Sequence, residues 1–240
     1  MLEKRISGAA ALASAVLAVA ACATGGSSRQ TTAEALTAIL AADHRSAENR
    51  ARDRYRHPKE TLLFFGIRPE MRVLEVWPEP GWYTEVIAPL VREKGKYYAA
   101  VIAADPTSKY ISERLEAYRR KLAERADLYD RVSVVTFPTD GGDAGVLGVV
   151  EHRGNPALPQ DVSAKSGYVI EDYAIKLIEA QGFRLVAKSE VNANAKDTKD
   201  YEQGVWTLPP TYRLGDKDRE KYAGIGESDR FTLRFVKPKK

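Results

Sequence analysis

The sequence predicts one α/β domain built around a sheet of mostly parallel strands. From Arg72 onward, apolar runs of strand length alternate with amphipathic runs of helix length. Strands separated by helices require a largely parallel sheet that is covered by helices on both faces. The 240 residues, 44% hydrophobic and 29% charged, suit one globular domain with a substantial core. This composition excludes a disordered chain and a multispanning membrane protein.

The N-terminus has the features of an export signal. Lys4 and Arg5 precede an apolar run to Val19 that is too short to span a bilayer as a helix. The run ends in "VAAC", which resembles the bacterial lipobox. That resemblance implies a signal peptide over residues 1–21, acylation of Cys22, and a protein anchored by lipid on the periplasmic side, with the outer membrane as its expected location. Residues 22–31 then form a small, polar tether, and residues 32–240 form the folded domain.

Composition also limits the partners. Cys22 is the only cysteine, so an intramolecular disulfide and a cysteine-built metal site are excluded. The histidines 44, 57 and 152 lie in different predicted elements without metal-ligand spacing, and we predict no metal site. The formal charge of +4 comes from basic residues interleaved with acids, which gives no indication of a nucleic-acid partner.

The first elements are helical. Thr31 and Glu34 have capping-box spacing and predict a helix that runs to about Ala42. The charged run "HRSAENRARDRYRH" over residues 44–57 is either the solvated face of a helix or an anion-binding arm. Pro58 opens a short helix, "PKETLLFF", that Gly66 closes.

The alternating part of the chain follows. Its predicted strands, in order, are "RVLEVW", "KYYAAVIAA", "RVSVVTF", "GVLGVVEH", "RLVAKSEV" and "RFTLRFV". Its predicted helices run from Thr84 to Glu93, from Ser108 to Ala126 and from Tyr168 to Ala180. Residues 192–228 form a long polar and aromatic excursion before the last strand. Asp229 and Arg230 are expected to fix the start of that strand.

One connection is too short for the expected topology. Only the seven residues "PTDGGDA", 138–144, join "RVSVVTF" to "GVLGVVEH", whereas a parallel crossover needs about a dozen residues or more. Either the two strands form an antiparallel hairpin or the sheet is incomplete in its middle. We favour an incomplete sheet with altered pairing.

The turn after the first predicted strand carries a family resemblance. In an open parallel sheet, ligands bind beyond the carboxyl ends of the strands, and "EVWPEPGWYTE" occupies that place. A strand that ends in an acid, a turn with glycine and then a helix is similar to the first motif of class I S-adenosylmethionine-dependent methyltransferases. More narrowly, the chain resembles a family of secreted bacterial proteins predicted to be methyltransferases, through "HPKETLLFFGI", "EVWPEPGWYTE", "GVVEHRG", "KDTKDY", "GVWTLPP" and "GDKDREKYAGIGESDR".

This resemblance implies a Rossmann-like methyltransferase three-layer sandwich and S-adenosylmethionine as the cofactor. The residues expected around the cofactor are Glu75, Trp77, Gly81, Tyr83 and, at the ribose, Asp105. In the family a complete strand and helix lie between the third and fourth strands predicted here, so the chain lacks one central unit.

Other side chains are candidates for the acceptor side of the site. His152 is a candidate general base, Arg153 a candidate for holding an anionic substrate, and Glu151 precedes both at the strand end. The alternative for these three is a hydrogen-bonded strand terminus. The aromatic residues Trp77, Trp82, Tyr83 and Trp206 are candidates to wall a pocket for a small molecule, with core packing as the alternative for Trp77. Tyr201, Trp206 and Tyr212 are candidates for a lid.

Two functions follow from these residues. The first is a lipid-anchored S-adenosylmethionine-dependent methyltransferase that acts on a small molecule. The second is a catalytically degenerate relative, a periplasmic binding or scaffold lipoprotein. Glu79 and Pro80, where relatives carry glycines, favour the second, because proline removes a donor and glutamate adds negative charge near a carboxylate-bearing ligand.

Overall fold

The computed structural model describes residues 24–78, 80–102, 108–137 and 145–238. The predicted signal peptide, Cys22, Glu79, Asp105 and the connection 138–144 lie outside these ranges. No helix in the described ranges is both long enough and apolar enough to span a bilayer.

The helices are α1 (Thr24–Ala41), α2 (Ala47–Arg56), α3 (Pro58–Phe65), α4 (Thr84–Val91), α5 (Lys109–Glu124), α6 (Ala126–Tyr129), α7 (Glu171–Glu179), α8 (Arg219–Ile225) and a 3₁₀ helix (Gly204–Thr207). The strands are β1 (Arg72–Val76), β2 (Lys96–Ile102), β3 (Ser133–Phe137), β4 (Val146–His152), β5 (Arg184–Ser189) and β6 (Arg230–Val236).

The strands form two separate three-stranded sheets. In the first sheet, with the order β1-β2-β3, all strands are parallel, and Leu74 is in register with Tyr98. In the second, with the order β4-β6-β5, β6 lies in the middle and is antiparallel to both neighbours. The mostly parallel sheet expected from the sequence is therefore found only in the first half. The reason is that β6 follows the long excursion instead of a crossover helix, so the chain returns in the opposite direction.

The break between the two sheets falls between β3 and β4, the strands that the short connection 138–144 joins in the sequence. Within the described ranges, β3 pairs with β2 and β4 pairs with β6, and no ladder joins β1 to β4. The prediction of an incomplete sheet is confirmed, and the alternative of a β3–β4 hairpin is not observed in the described strands. Each sheet has its own core, one around α4 and β2 and the other around β6.

Helix α3 connects the two sheets by a close contact at a glycine. Its Phe65 ring lies against Gly148 of β4, and a Cβ at Gly148 would lie 2.7 Å from that ring. Gly66 ends α3 in the left-handed conformation, with a φ of 76°, as its position in the sequence predicts. Helix α1 starts at Thr24, earlier than the capping-box prediction at Thr31.

One face of β1 is open to solvent. Val73 packs against the first core, whereas Leu74 and Val76, on the opposite face of the strand, are 48% and 52% exposed. Strand side chains alternate between the two faces, so no described helix covers this face of β1. The expected coverage of both faces therefore fails at β1.

Candidate active site

A cavity of about 550 Å³ lies where the carboxyl ends of β1 and β4 meet the loops that follow them. Its volume is in the range of small-molecule and cofactor sites. The predicted site residues Trp77, Tyr83, Glu151, His152 and Trp206 all reach it. The described residues that line it are Arg56, Trp77, Tyr83, Val150, Glu151, His152, Ala164, Gly167, Val169, Asn192, Val205, Trp206 and Arg230.

Two loops close the side of the cavity opposite β1 and pack on each other through glycines. Val205 donates from its backbone to Ser166 O at 2.9 Å. A Cβ at Gly204 would lie 2.0 Å from the same oxygen, and one at Gly167 would lie 2.5 Å from the Val205 side chain. Of the three predicted lid aromatics, Trp206 lines the cavity. Tyr201 packs instead on Tyr222, with the ring centroids 5.9 Å apart.

His152 is held as a neutral imidazole. Its Nδ1 is hydrogen-bonded to the Ser228 hydroxyl. Burial, followed by the charges of Arg230 and Arg56, lowers the pKa of His152 to about 3. A group with such a pKa is a weak base at neutral pH, so this environment favours a hydrogen-bonding and orienting role for His152.

Glu151 and Arg153, on either side of His152 in the sequence, have different surroundings. Burial raises the pKa of Glu151, whose carboxylate accepts from the His152 backbone N–H at 2.7 Å. Arg153 does not line the cavity. Its guanidinium is 3.1 Å from Glu171, 2.6 Å from Glu190 and 3.5 Å from Asp229. These carboxylates engage Arg153 within the protein.

Two arginines that line the cavity, Arg56 and Arg230, belong to one buried cluster. Glu227, whose side chain is 1% exposed, accepts from Arg52 at 2.6 Å, from Arg56 at 2.8 Å and from Arg230 at 2.7 Å. Burial alone would raise the pKa of Glu227, but the guanidinium charges outweigh it and lower that pKa to about 2. One carboxylate therefore balances three guanidiniums, and this side of the cavity has an excess of positive charge.

Asn192 lines the cavity and has a buried side-chain oxygen that is not used in a hydrogen bond within the described residues. Its Nδ2 donates to Thr61 Oγ1 and to Thr232 Oγ1, both at 2.9 Å. The Thr61 hydroxyl is in turn a donor to Arg56 O at 3.3 Å, which fixes the direction of the amide. Among the described residues, the buried Asn192 Oδ1 has no hydrogen-bond partner.

The first turn presents some of its predicted residues to the cavity and others to the interior. Trp77 has a φ of 60°, in the left-handed region, and its backbone N–H donates to Ala100 O at 2.9 Å. Such strain in a residue other than glycine is common at functional sites. Gly81 has a φ of 91°, and a Cβ there would lie 3.1 Å from the Lys121 side chain and 3.4 Å from Tyr118. Gly81 therefore faces α5 and does not line the cavity.

Glu75 points into the first core. It accepts a hydrogen bond from the Tyr97 hydroxyl, and burial raises its pKa to about 7 despite that bond. The Tyr97 hydroxyl is also 2.9 Å from Thr84 Oγ1, which is 3.0 Å from the Tyr118 hydroxyl. Glu75 thus belongs to a polar network beneath the turn.

Sequence reasoning missed three polar residues of the cavity: Arg56, Asn192 and Arg230. The available signal was the arginine-rich run 44–57, for which an anion-binding arm was one of two interpretations. Arg230 does begin β6, as expected, but its side chain also lines the cavity. Asn192 belongs to no sequence motif that would have indicated a place in the cavity.

Comparisons with protein-family models and with curated proteins gave no match to this chain. Solved structures do match. The [4+2]-cyclase SpnF is similar over 88% of this chain and 96% of that chain, with a TM-score of 0.51 and 15% identity. A cyclopropane-fatty-acyl-phospholipid synthase-like protein from Lactobacillus casei has a TM-score of 0.45 and 14% identity over 88% of this chain and 99% of that chain. A protein assigned as an O-methyltransferase, from Klebsiella pneumoniae, has a TM-score of 0.41 and 12% identity over 88% of this chain and 90% of that chain.

At these identities the likeness concerns the fold alone. Helices α4 and α5 lie between the parallel strands β1, β2 and β3 in the chain, as in a Rossmann-like fold. The chain therefore has a Rossmann-like α/β fold similar to that of SpnF, with a central sheet that is interrupted between β1 and β4 in the described residues.

Proposed function

We propose that this protein is an S-adenosylmethionine-dependent methyltransferase that acts on a small molecule in the cavity between β1 and β4. One observation carries the proposal. On this fold the ligand crevice lies beyond the carboxyl ends of the strands. The cavity occupies that position, with Trp77 and Tyr83 of the first turn on one side and His152 of β4 on the other.

The residues of the cavity suit the methyl donor in part of its chemistry. S-adenosylmethionine carries an ammonium, a sulfonium and a flat purine. The rings of Trp77 and Tyr83 suit a sulfonium or a purine, because aromatic faces attract cations and stack on flat rings. When bound, the cofactor would supply the methyl group.

The chain's own contribution would be alignment and exclusion of water. Holding two reactants in the correct geometry lowers the barrier by several kcal/mol, on the order of 7 or more in favourable cases. Val150, Val169 and Val205 give the cavity apolar walls. His152, neutral and fixed by Ser228, would orient an acceptor hydroxyl.

A second function is favoured by a specific observation. The backbone at Gly81, where a methyltransferase turn approaches its cofactor, is covered by Lys121 and Tyr118 of α5. Lys121 is itself paired with the buried carboxylate of Glu85. This arrangement favours a periplasmic binding or scaffold lipoprotein that keeps the fold and has lost methyl transfer.

We also propose that Cys22 is lipid-modified and anchors the domain on the periplasmic side of a bacterial membrane. The support is the sequence alone, namely the charged start, the apolar run and "VAAC". Mass spectrometry of the protein isolated from bacterial membranes tests this: a diacylglyceryl mass on an N-terminal Cys22 is expected. An intact, unmodified N-terminus would contradict it.

Calorimetric titration with S-adenosylhomocysteine separates the two functions. A methyltransferase is expected to give saturable binding of one molecule per chain. Trp77→Ala is expected to weaken it, while Tyr110→Ala, at a side chain 63% exposed on α5 and outside the cavity, leaves it unchanged. No heat at high micromolar protein would contradict methyl transfer and leave the binding protein as the function.

A further inference from the structure

We propose that the cavity binds a planar aromatic carboxylate, with Arg56 and Arg230 as its anion-binding pair. That this ligand is the methyl acceptor rests on the proposed function; that it binds does not.

The first support is the charge balance. Arg52, Arg56 and Arg230 all contact the one carboxylate of Glu227, so two positive charges in this cluster are not balanced by it. Of these arginines, Arg56 and Arg230 line the cavity. A guanidinium in a poorly hydrated site interacts strongly with an anion, because the local dielectric constant is lower than that of water. The excess charge therefore favours an anionic ligand in the cavity.

The second support is the hydrogen-bonding capacity of Arg56. Its Nε donates to Glu227 Oε2 at 2.8 Å. The hydrogen bonds found in the described part of the chain do not use its two terminal nitrogens, and its guanidinium carbon lies 5.2 Å from the centroid of the Trp82 ring. A guanidinium presents its donors in a planar fork that matches the two oxygens of a carboxylate. Arg56 thus keeps the donors that a carboxylate needs.

The acidic residue on the cavity wall does not remove this preference. Glu151 lines the cavity, but burial raises the pKa of its carboxyl and disfavours its charged form. His152 adds no charge, because it is neutral at physiological pH. With Glu151 counted as ionised, the arginines 52, 56 and 230 still outnumber the two carboxylates, Glu151 and Glu227, among the described residues of the cavity and its cluster.

The third support concerns the rest of the ligand. Three aromatic rings line the cavity: Trp77 and Tyr83 from the first turn, and Trp206 from the 3₁₀ helix. Arg213 stacks on the outer part of this wall, with its guanidinium carbon 4.5 Å from the centroid of the Trp206 ring. Aromatic walls favour flat rings through offset and edge contacts. A ring that bears a carboxylate matches both the walls and the charge.

An anionic acceptor would also solve a problem of the proposed reaction. S-adenosylmethionine carries a positive sulfonium, which the excess charge of Arg56 and Arg230 would repel. A carboxylate bound to these arginines would cancel part of that charge before the cofactor binds. The two ligands are then expected to bind with positive coupling.

The experiment uses 4-hydroxybenzoate as the probe with the complete protein, by calorimetry and by quenching of tryptophan fluorescence. Two matched compounds separate the contribution of the carboxylate from that of the aromatic ring. 4-Hydroxybenzyl alcohol has the ring without the charge, and cyclohexanecarboxylate has the charge without the aromatic ring. We expect 4-hydroxybenzoate to bind at least about ten-fold more tightly than either compound. Equal binding of the acid and the neutral alcohol to the wild-type protein would overturn the proposal without any variant.

Two variants then locate the anion site. Arg56→Gln is expected to weaken 4-hydroxybenzoate at least about ten-fold. Arg52→Gln removes a second arginine from the same carboxylate, but Arg52 does not line the cavity, so it should leave affinity nearly unchanged. Circular dichroism confirms that both variants are folded. Equal losses in two folded variants would overturn the assignment.

The outcomes for the two proposals are distinguishable. Binding of 4-hydroxybenzoate without binding of S-adenosylhomocysteine would support the anion site and contradict the methyltransferase. The reverse result would contradict the anion site alone.

Discussion

Arg56 donates from its Nε to Oε2 of Glu227 at 2.8 Å, although the two residues are 171 positions apart in the chain. This contact ties the end of α2 to the segment that leads into β6. It also holds Arg56 at the cavity wall. The stability of the domain and the charge of its site therefore depend on the same carboxylate.

Glu227→Gln is expected to destabilise the protein by about 3 kcal/mol, because removal of one partner leaves buried charges unbalanced. Urea unfolding measures the loss. The control is Glu202→Gln, which breaks the exposed Lys217–Glu202 pair, with side chains 60% and 57% exposed, and should cost less than about 1 kcal/mol. Similar costs for the two variants would show that Glu227 is not the centre of a stabilising cluster.

Glu75 is expected to make stability fall as the pH rises from about 4.5 to about 7. Its pKa is about 7 in the folded protein, against an ordinary value of 4.5. The folded state therefore keeps a proton that the unfolded chain releases, and this contribution is complete below pH 4.5 and lost as the pH rises through about 7. Glu75→Gln should reduce the loss of unfolding free energy between about pH 5 and about pH 8, by roughly 1 to 2 kcal/mol after allowance for partial exposure. Urea unfolding at the two pH values checks this, and an unchanged difference would refute it.

His152 is expected to affect the stability of the protein at acidic pH. Its pKa is about 3 in the folded protein, against an ordinary value of 6.5. Between these values the unfolded chain binds a proton that the folded state rejects, so stability falls as the pH is lowered from 6.5. The maximum slope from one such group is about 1.4 kcal/mol per pH unit. His152→Asn should flatten the acid side of the stability profile, measured by denaturant titrations from about pH 7 to about pH 4. A profile as steep as that of the wild type would contradict the buried, neutral imidazole.

The loops that close the cavity depend on Gly204. This residue has a φ of 55°, and a Cβ there would lie 2.0 Å from Ser166 O. Gly204→Ala therefore adds a clash to backbone strain and should cost about 2 kcal/mol more than Gly215→Ala. Gly215 has a φ of 64° with nothing within 4 Å of its Cβ position, so strain alone, about 1 to 2 kcal/mol, applies there. Thermal and urea unfolding compare the two; equal costs would mean that the loops do not pack on each other as described.

Local elements were predictable from the sequence because they depend on neighbouring residues. Helix α3 and strand β6 have the predicted boundaries, Pro58–Phe65 and Arg230–Val236. The missing central unit was predictable because the connection 138–144 is too short for a crossover.

Other features depend on contacts between distant residues, which periodicity does not reveal. The pairing of Arg56 with Glu227 and the contact of Lys121 with Gly81 bring together separate elements. The antiparallel direction of β6 follows from the path of the excursion before it. Arg153 was a candidate anion-binding residue because it is a basic residue at the end of a predicted strand. Its three carboxylate partners come from distant parts of the chain and could not be predicted from the sequence.

The central claim is that the cavity between β1 and β4 is the site of the methyl donor and its acceptor. A crystal structure of the protein with S-adenosylhomocysteine tests this most directly. The account predicts ligand density against Trp77, Tyr83 and Asn192, with Lys121 still paired to Glu85. Density over Gly81 with Lys121 displaced, or a cavity without ligand at saturating concentration, would contradict it.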